Sequence, residues 1–400
     1  QCVKTIVLIP VQETTKIASN NTHMNSNKKR FHPVLCVTHR CNLNCIYCYQ
    51  KHDNSDMSFE TAKKCIDLIF QKNLNEYDEI EIGLIGGEPL LNFELIKAIF
   101  NYTEQYKGIC KYYFFATTNG TVITDEMKEW FQARKKSFIL GLSIDGTPET
   151  HNHNRLNSFN KIDIDFFIKT WGFQGVKMTL TDFSLEHLAE NIKYLHSIGI
   201  NNITGANLYE GTFNWEQEKF IKLLIPQLEE LVQFYVINDN LPVVQMLNKH
   251  IDACENTKKT KHKYCGIGTG TLFFDTDGTQ CPCGFFTPMT FDKETLKKVN
   301  TTDFSKEENF VDDECFEKCY IQPICPNCAG NNYLANNSFK EKDKSKCRIQ
   351  KLIALYAADL LIKRMVKNPE KYSEIQKIKT LKAARRIKEL YLPEFEQYCI

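Results

Sequence analysis

The chain has 400 residues, of which 42% are hydrophobic and 25% are charged, and its formal net charge is +1. These values are typical of a globular protein of two or three domains, and they exclude global electrostatic steering toward nucleic acid or a membrane. The chain has no run of about 18 apolar residues and no signal-peptide pattern, so we expect a cytoplasmic protein.

Cysteine is the outlier in this composition, with 17 residues. Most of them cluster at 41–48 and 265–347, whereas a secreted disulfide scaffold would be shorter and would spread its cysteines evenly. Clustering at short spacings indicates metal ligation in a reducing compartment. The isolated cysteines are interpreted as ordinary free thiols, mostly buried: Cys2, Cys36, Cys65, Cys110, Cys254 and Cys399.

Residues 1–32 predict an N-terminal strand and a polar flexible segment, and β-rich runs then alternate with amphipathic helical patterns from 33 to 240. Strands are predicted at 33–38, 80–85, 111–117, 138–144, 175–181 and 202–208. Helices are predicted at 58–72, 92–106, 124–135, 161–170, 184–198 and 214–237. Six β/α units imply a parallel sheet but are too few for a closed eight-fold barrel. The sequence therefore predicts an α/β fold with a partial (β/α)6 TIM-like barrel, whose active site lies where strands end and loops begin.

The loop after the first predicted strand carries Cys41, Cys45 and Cys48 in the spacing C-x3-C-x2-C. A [4Fe–4S] cluster normally takes four cysteines, so a three-cysteine loop leaves one iron open for chemistry. Half of a structural zinc site is the alternative, although zinc motifs favour paired short spacings. With Tyr47 before the last cysteine, the loop resembles the signature of the radical S-adenosylmethionine (radical SAM) enzymes. The resemblance implies that SAM chelates the open iron and that Tyr47 belongs to the cofactor site.

The end of the second predicted strand carries Gly86, Gly87, Glu88 and Pro89. Glycines let a backbone approach a ligand closely, and a carboxylate can accept hydrogen bonds from an ammonium group. Without other motifs, such a segment is an ordinary turn about as often as it is a ligand site. Together with the cysteine loop it resembles the radical SAM segment that holds the amino group of SAM.

Polar residues also end the third and fourth predicted strands. Thr118, Asn119 and Ser143 resemble the strand ends that line the SAM pocket in the peptide-modifying branch of the family. Arg155 resembles the arginine that pairs with the SAM carboxylate, a geometry that suits a guanidinium. The nearby His151 and His153 are expected to be loop residues.

The second cysteine cluster contains eight cysteines and resembles the SPASM extension, which carries two auxiliary [4Fe–4S] clusters. The resemblance implies that Cys265, Cys283 and Cys328 bind the first auxiliary cluster, with Cys281 or an open site in the fourth position. It implies that the second is bound by Cys315, Cys319, Cys325 and Cys347. The spacing C-x3-C-x5-C-x2-C permutes the family's C-x2-C-x5-C-x3-C. Two structural zinc knots are the alternative.

The predicted domains are the N-terminal segment 1–32, the barrel 33–240, a linker helix within 241–264, the SPASM domain 265–347 and C-terminal helices in 348–400. Residues 363–388 hold ten Lys or Arg against two Glu. This basic stretch is interpreted as a solvated helical face or as a docking surface for an acidic peptide segment.

The resemblance implies an enzyme that cleaves SAM reductively to a 5′-deoxyadenosyl radical and abstracts hydrogen from a ribosomally made precursor peptide, forming a thioether or carbon–carbon crosslink. It further implies three [4Fe–4S] clusters, with flavodoxin or ferredoxin as electron donor. Sulfatase-maturing relatives place an aspartate after the cysteine equivalent to Cys283, where this chain has Gly284. Formylglycine formation is therefore one alternative, and a SPASM dehydrogenase of a small alcohol or sugar is another. Since about 30 residues precede the barrel, leader recognition is expected to use the N-terminal strand, the C-terminal helices or a separate protein.

Overall fold

The computed structural model describes residues 29–73, 77–205, 207–208, 218–256 and 265–398. The strand predicted near the N-terminus, Cys2 and Cys399 lie outside these ranges.

A six-stranded sheet in the order β4-β3-β2-β1-β7-β8 forms the centre of the described structure. Its pairs are parallel except for β7 and β8, which are antiparallel. The strands, with those of a second small ladder, are β1 Arg30–Thr38, β2 Glu79–Gly86, β3 Tyr112–Thr118, β4 Phe138–Leu142, β5 Thr179–Leu180, β6 Asn207–Leu208, β7 Thr271–Phe274 and β8 Gln280–Cys281.

The ladder of β5 and β6 continues the curve of the sheet beyond β4. Parallel bridges join Ser143 to Lys177 and Val176 to Ile203, so β1 to β6 lie side by side in chain order. This arrangement confirms the predicted partial barrel. The last two strands are much shorter than predicted because Thr204 N and Gly205 N both donate to Val176 O, at 3.1 and 3.3 Å, which interrupts the ladder as a bulge does.

Helices cover the outer face of the barrel and form most of the C-terminal third. They are α1 Phe59–Asn73, α2 Phe93–Thr103, α3 Asp125–Arg134, α4 Pro148–Asn154, α5 Ile164–Trp171, α6 Asp182–Glu186, α7 Leu188–Ser197, α8 Glu218–Ile237, α9 Lys293–Thr301, α10 Asp313–Lys318, α11 Ala329–Asn336, α12 Cys347–Lys367 and α13 Glu374–Tyr391. The short helix α4 was not predicted, and it places His151 and His153 on a helix rather than in a loop.

Alternation along the strands separates a packed outer face from the barrel interior. In β3, Phe114 and Ala116 are buried in the core beneath the helices, whereas Phe115 and Thr117 are half-buried on the opposite face. Successive side chains of a strand point to opposite faces. The residues between the core positions therefore line the interior in which a substrate would be enclosed.

The cysteine-rich region joins the barrel through β7, which pairs in parallel with β1 from His32↔Thr271 to Leu35↔Phe274. This pairing was not predicted, since β7 has only four residues and follows no clear alternation. Beyond it the region has a small core of its own, rich in phenylalanine, including Phe286, Phe304 and Phe310. The division of the chain near residue 265 stays a prediction.

The linker helix predicted within 241–264 is wrong for residues 241–256, which contain only the 3-10 helix Ile251–Glu255. Tertiary partners bind backbone groups that a helix would use internally. Val244 N donates to the hydroxyl of Tyr235 (3.1 Å), and Gln245 N donates to Ile203 O (3.1 Å).

The C-terminal helices α12 and α13 match the predicted positions closely, and α12 packs against α8 and α13. Its apolar residues surround it almost completely, as expected for a helix covered on most sides. In the part of the chain that the structure describes, every helix is too short or too polar to cross a membrane.

Candidate active site

The cysteine loop directly follows β1 and is held from both sides. On one side Gly87 N donates to Thr38 O (3.1 Å) and Glu88 N to Arg40 O (2.8 Å), which extends the pairing of β1 with β2 into the loop. On the other side Ile46 N donates to Asn154 O (3.1 Å) at the end of α4. The loop is therefore fixed to the carboxyl edge of the sheet.

Gly86 ends β2 and Gly87 follows it, and both glycines allow this close packing. A Cβ on Gly86 would lie 2.3 Å from Thr38 O, and one on Gly87 would lie 2.5 Å from Arg40 O and 2.8 Å from Cys41 Cβ. Real Cβ atoms do not approach so closely. The glycines were predicted to admit a ligand; the structure shows that they admit the cysteine loop itself.

Cys41, Cys45 and Cys48 are free, half-buried thiols in this loop. Burial raises the pKa of each, that of Cys45 to about 11. The nearby Cys48 further raises the pKa of Cys41, and Cys41 and Cys48 further raise that of Cys45. A metal must therefore displace these protons to gain three thiolate ligands.

Glu88 ties the end of β2 to the end of β3. Its carboxylate accepts hydrogen bonds from Thr118 Oγ1 (2.7 Å), Asn119 N (2.7 Å) and Leu90 N (3.1 Å). Burial raises the pKa of Glu88 to about 7, although these hydrogen bonds act to lower it. Two carboxylate oxygens can accept about four hydrogen bonds, so capacity for an ammonium donor remains. Pro89 begins the following 3-10 helix and is buried.

Asn119 also reaches the cysteine loop, because its Nδ2 donates to Asn42 Oδ1 (2.9 Å). Ser143 lies at the end of β4, where its N donates to Thr118 O (2.9 Å). Its side chain is on the interior face, beside Lys177 across the bridge. The structure thus brings the ends of β2, β3 and β4 together around the cysteines.

Asp145 lies just after β4 and is a hub, a side chain that accepts hydrogen bonds from several separate segments. The sequence did not single it out. Asp145 is fully buried and accepts from Arg155 Nε (2.9 Å) and Nη2 (3.2 Å), Tyr47 Oη (2.8 Å) and Thr179 N (3.0 Å). Burial opposes its charge, but Arg155 and these bonds dominate and lower the pKa of Asp145.

Arg155 is therefore already committed to a carboxylate of the protein. Its guanidinium carbon lies 5.3 Å from the centre of the Tyr47 ring, and its charge acts to lower the pKa of Cys45. His151, one turn earlier, is buried and neutral because burial lowers its pKa to about 4. The pairing of Arg155 with a SAM carboxylate stays a prediction, and in this structure Asp145 holds the same side chain.

His39 connects the cysteine loop to the cysteine-rich region. Its Nε2 lies 2.7 Å from Asp275 Oδ1, just after β7, and its Nδ1 lies 3.1 Å from Asp53 Oδ1. The hydrogen bond to Asp275 is the main cause that raises the pKa of His39 to about 11. This buried contact fixes the first cysteine loop relative to the strand that precedes Cys281 and Cys283.

Four cysteines of the second cluster line one cavity of about 290 Å³: Cys315, Cys319, Cys325 and Cys347. They come from α10, the following turn and the start of α12. A single water needs only about 30 Å³, so the cavity can hold a much larger group. This set is the one that the resemblance implied for the second auxiliary cluster.

The other four cysteines do not form so clear a site. Cys281 is buried in an apolar cluster with Cys36, Phe273 and Met289, whereas Cys265 is exposed. Cys283 and Cys328 are half-buried. The fourth position of the first auxiliary cluster, held by Cys281 or left open, stays a prediction.

Comparison with known proteins decides the family. The Radical SAM superfamily signature matches residues 35–224. An uncharacterised protein of Methanocaldococcus jannaschii is 31% identical over 250 residues, covering 61% of this chain and 80% of that protein. The chain belongs to the radical SAM superfamily. It is therefore a SAM-dependent redox enzyme, and the family implies one [4Fe–4S] cluster and SAM.

Further relatives place this radical SAM enzyme in the SPASM-type maturase branch. The cysteine-type anaerobic sulfatase-maturating enzyme of Clostridium perfringens is 27% identical over 325 residues, covering 71% of this chain and 84% of that protein. The structure of native anSMEcpe with bound AdoMet and Cp18Cys peptide has the same fold, with a TM-score of 0.61 at 19% identity, covering 86% of this chain and all of that chain.

Proposed function

We propose that this enzyme is a peptide maturase that abstracts hydrogen from a ribosomally made peptide and forms a thioether or carbon–carbon crosslink. Cys41, Cys45 and Cys48 would hold the [4Fe–4S] cluster, and Glu88 would receive the amino group of SAM. When bound, the cluster would supply the electron that cleaves SAM to methionine and a 5′-deoxyadenosyl radical. Two auxiliary clusters in the cysteine-rich region, and flavodoxin or ferredoxin as donor, complete the proposal.

The donor set fits this cofactor. Three thiols on one fixed loop suit a cluster with one open iron, and the neighbouring strand ends supply the polar groups of Thr118, Asn119 and Ser143. The hydroxyl of Ser143 makes no hydrogen bond to the residues that the structure describes, so it is available to a ligand. Asp145 and Arg155 keep Tyr47 and the cysteine loop in place. The core between the sheet and the outer helices excludes water from the strands.

The observation that carries the crosslinking proposal is the packing of Gly284. A Cβ there would lie 3.0 Å from Phe273 Cε2 and 3.3 Å from Ile85 Cδ1, so the position after Cys283 is filled by an apolar contact with the barrel. The carboxylate that sulfatase-maturing relatives carry at this point is missing, and a longer side chain would displace Phe273 or Ile85. This favours a reaction without that base over formylglycine formation.

A peptide substrate is supported by the relatives, and a small-molecule dehydrogenase remains the second candidate. The barrel interior carries Phe115, Thr117 and Lys177 beside the strand ends. An aromatic ring next to an ammonium group can bind a peptide side chain as readily as a sugar.

The test is coexpression of the enzyme with a panel of short cysteine-rich peptides, including any that are encoded beside its gene, followed by mass spectrometry of the peptides. A crosslink removes two hydrogen atoms, and a thioether also makes one cysteine resistant to alkylation. The Cys41→Ala variant is the control and should leave the peptide unchanged. Conversion of a sulfatase-derived cysteine peptide to an aldehyde, with no crosslink in any peptide, would contradict the proposal.

A further inference from the structure

Lys342 presents its ammonium group to the four-cysteine cavity. Its Nζ donates to Cys325 Sγ (2.9 Å) and to Pro326 O (2.7 Å). Its backbone N donates to Asp312 Oδ2 (3.0 Å), the carboxylate that also caps α10 through Cys315 N (3.0 Å). The backbone and the side chain of Lys342 are thus both fixed against segments that carry these cysteines.

The other lysines of the cavity wall differ from Lys342 in their partners. Lys344 and Lys318 pair with Glu314, and Lys351 pairs with Glu394 at 2.9 Å. No carboxylate lies within ion-pair distance of Lys342 among residues 29–73, 77–205, 207–208, 218–256 and 265–398. The acceptors of its ammonium group are therefore a sulfur atom and a backbone carbonyl rather than a side-chain carboxylate.

We propose that Lys342 raises the reduction potential of an iron–sulfur cluster held by Cys315, Cys319, Cys325 and Cys347. The inference rests on the auxiliary cluster of the proposed function. Hydrogen bonds to the sulfur ligands and local charge are among the factors that set the potential of such clusters. The step concerned adds one electron to the cluster and moves no proton, so the cluster becomes more negative. An ammonium group beside Cys325 stabilises that reduced form more than the oxidised form.

The consequence is a division of roles between clusters. Beside the loop of Cys41, Cys45 and Cys48, the charge of Arg155 is paired with Asp145. At the Cys325 site, the ammonium group of Lys342 has no carboxylate within ion-pair distance among the described residues. This positive charge favours reduction of a cluster at the second site, which suits an acceptor of the electron that a substrate radical loses when its product bond forms.

The test is a redox titration of the anaerobically reconstituted whole chain, followed by electron paramagnetic resonance. Lys342→Met removes the charge and the donor at similar length. We expect one cluster signal to shift to a more negative midpoint potential, with about a tenfold lower equilibrium constant for reduction, or about 59 mV for one electron. Lys342→Arg should restore most of the wild-type value, and Lys344→Gln, in the same wall but paired with Glu314, should leave it unchanged.

An unchanged potential in Lys342→Met at full iron content would overturn the inference. If Lys342→Met loses about four irons, the potential is measured in Lys342→Arg instead. A wild-type potential at full iron content in Lys342→Arg supports the role of the charge, and a shifted potential in that variant contradicts it. A different result is expected if the proposed function fails because these four cysteines hold no cluster. In that case Cys315→Ala and Cys347→Ala would keep all the iron of the wild-type protein.

Discussion

At the scale of single residues, Asp145 has the largest consequences. Removing its charge leaves the buried guanidinium of Arg155 without a counter-ion, and breaking a buried pair on one side costs about 3–5 kcal/mol. We therefore expect Asp145→Asn to lower the free energy of unfolding of the metal-free protein by about 3 kcal/mol, measured by urea denaturation. Asp165→Asn, which breaks the exposed pair with Lys169, should change it by less than about 0.5 kcal/mol. Equal effects of the two changes would contradict the assignment of Asp145 as a hub.

His151 gives the protein a specific sensitivity to acid. Its pKa falls from 6.5 to about 4 because the ring is buried, so the unfolded chain binds the proton more readily than the folded one. The stabilisation is full above pH 6.5 and is lost as the pH falls toward 4.

His151→Gln should remove this part of the pH dependence, because an amide can donate to Ser158 and accept from Asp145 N without titrating. The measurement compares the free energy of unfolding at pH 7.5 and pH 5 for both proteins. His187→Gln, at a partly exposed ring with no such burial, is the control. A wild-type pH slope in His151→Gln would show that another group causes the acid sensitivity.

At the scale of elements, the contact between the β2 end and the cysteine loop controls the first metal site. Gly87→Ala places a methyl group within 2.8 Å of Cys41 Cβ and 2.5 Å of Arg40 O, so the loop must move. We expect a loss of about four irons from the reconstituted protein and loss of SAM cleavage, with the remaining iron retained.

The matched change is Gly83→Ala in the same strand, where the nearest neighbour is the side chain of Val34 at 3.0 Å. A side chain can turn away, so this variant should keep its iron. Full iron and normal SAM cleavage in Gly87→Ala would mean that the two glycines do not position the loop.

Elements with a strong local pattern were predictable from the sequence, and those defined by long-range partners were not. The strands β1 to β4 and the helices α12 and α13 follow from periodicity, and the motif spacing singled out the cysteines. By contrast, β7 exists because it pairs with β1, and residues 241–256 are not helical because Tyr235 and Ile203 bind their backbone. Asp145, His39 and Lys342 gain their importance from residues between 10 and 236 positions away, which no local pattern reports.

At the scale of the whole molecule, the cysteine-rich region is an integral extension of the barrel. β7 joins the sheet beside β1, and His39 bonds to Asp275 across the junction. The strand that leads into the first cysteine loop and the strand that contains Cys281 therefore belong to one continuous sheet. A radical enzyme needs such rigidity, since its protein must hold cofactor and substrate in place and exclude competing hydrogen donors.

The central claim is that this chain is a radical SAM enzyme with auxiliary clusters, and one measurement tests it directly. The whole chain is reconstituted anaerobically with iron and sulfide, and iron content and 5′-deoxyadenosine release from SAM are measured together under reductant. We expect about twelve irons in the wild-type protein and about eight in the Cys41→Ala/Cys45→Ala/Cys48→Ala variant, with SAM cleavage abolished. Tightly bound zinc without SAM cleavage in the wild-type protein would contradict the account.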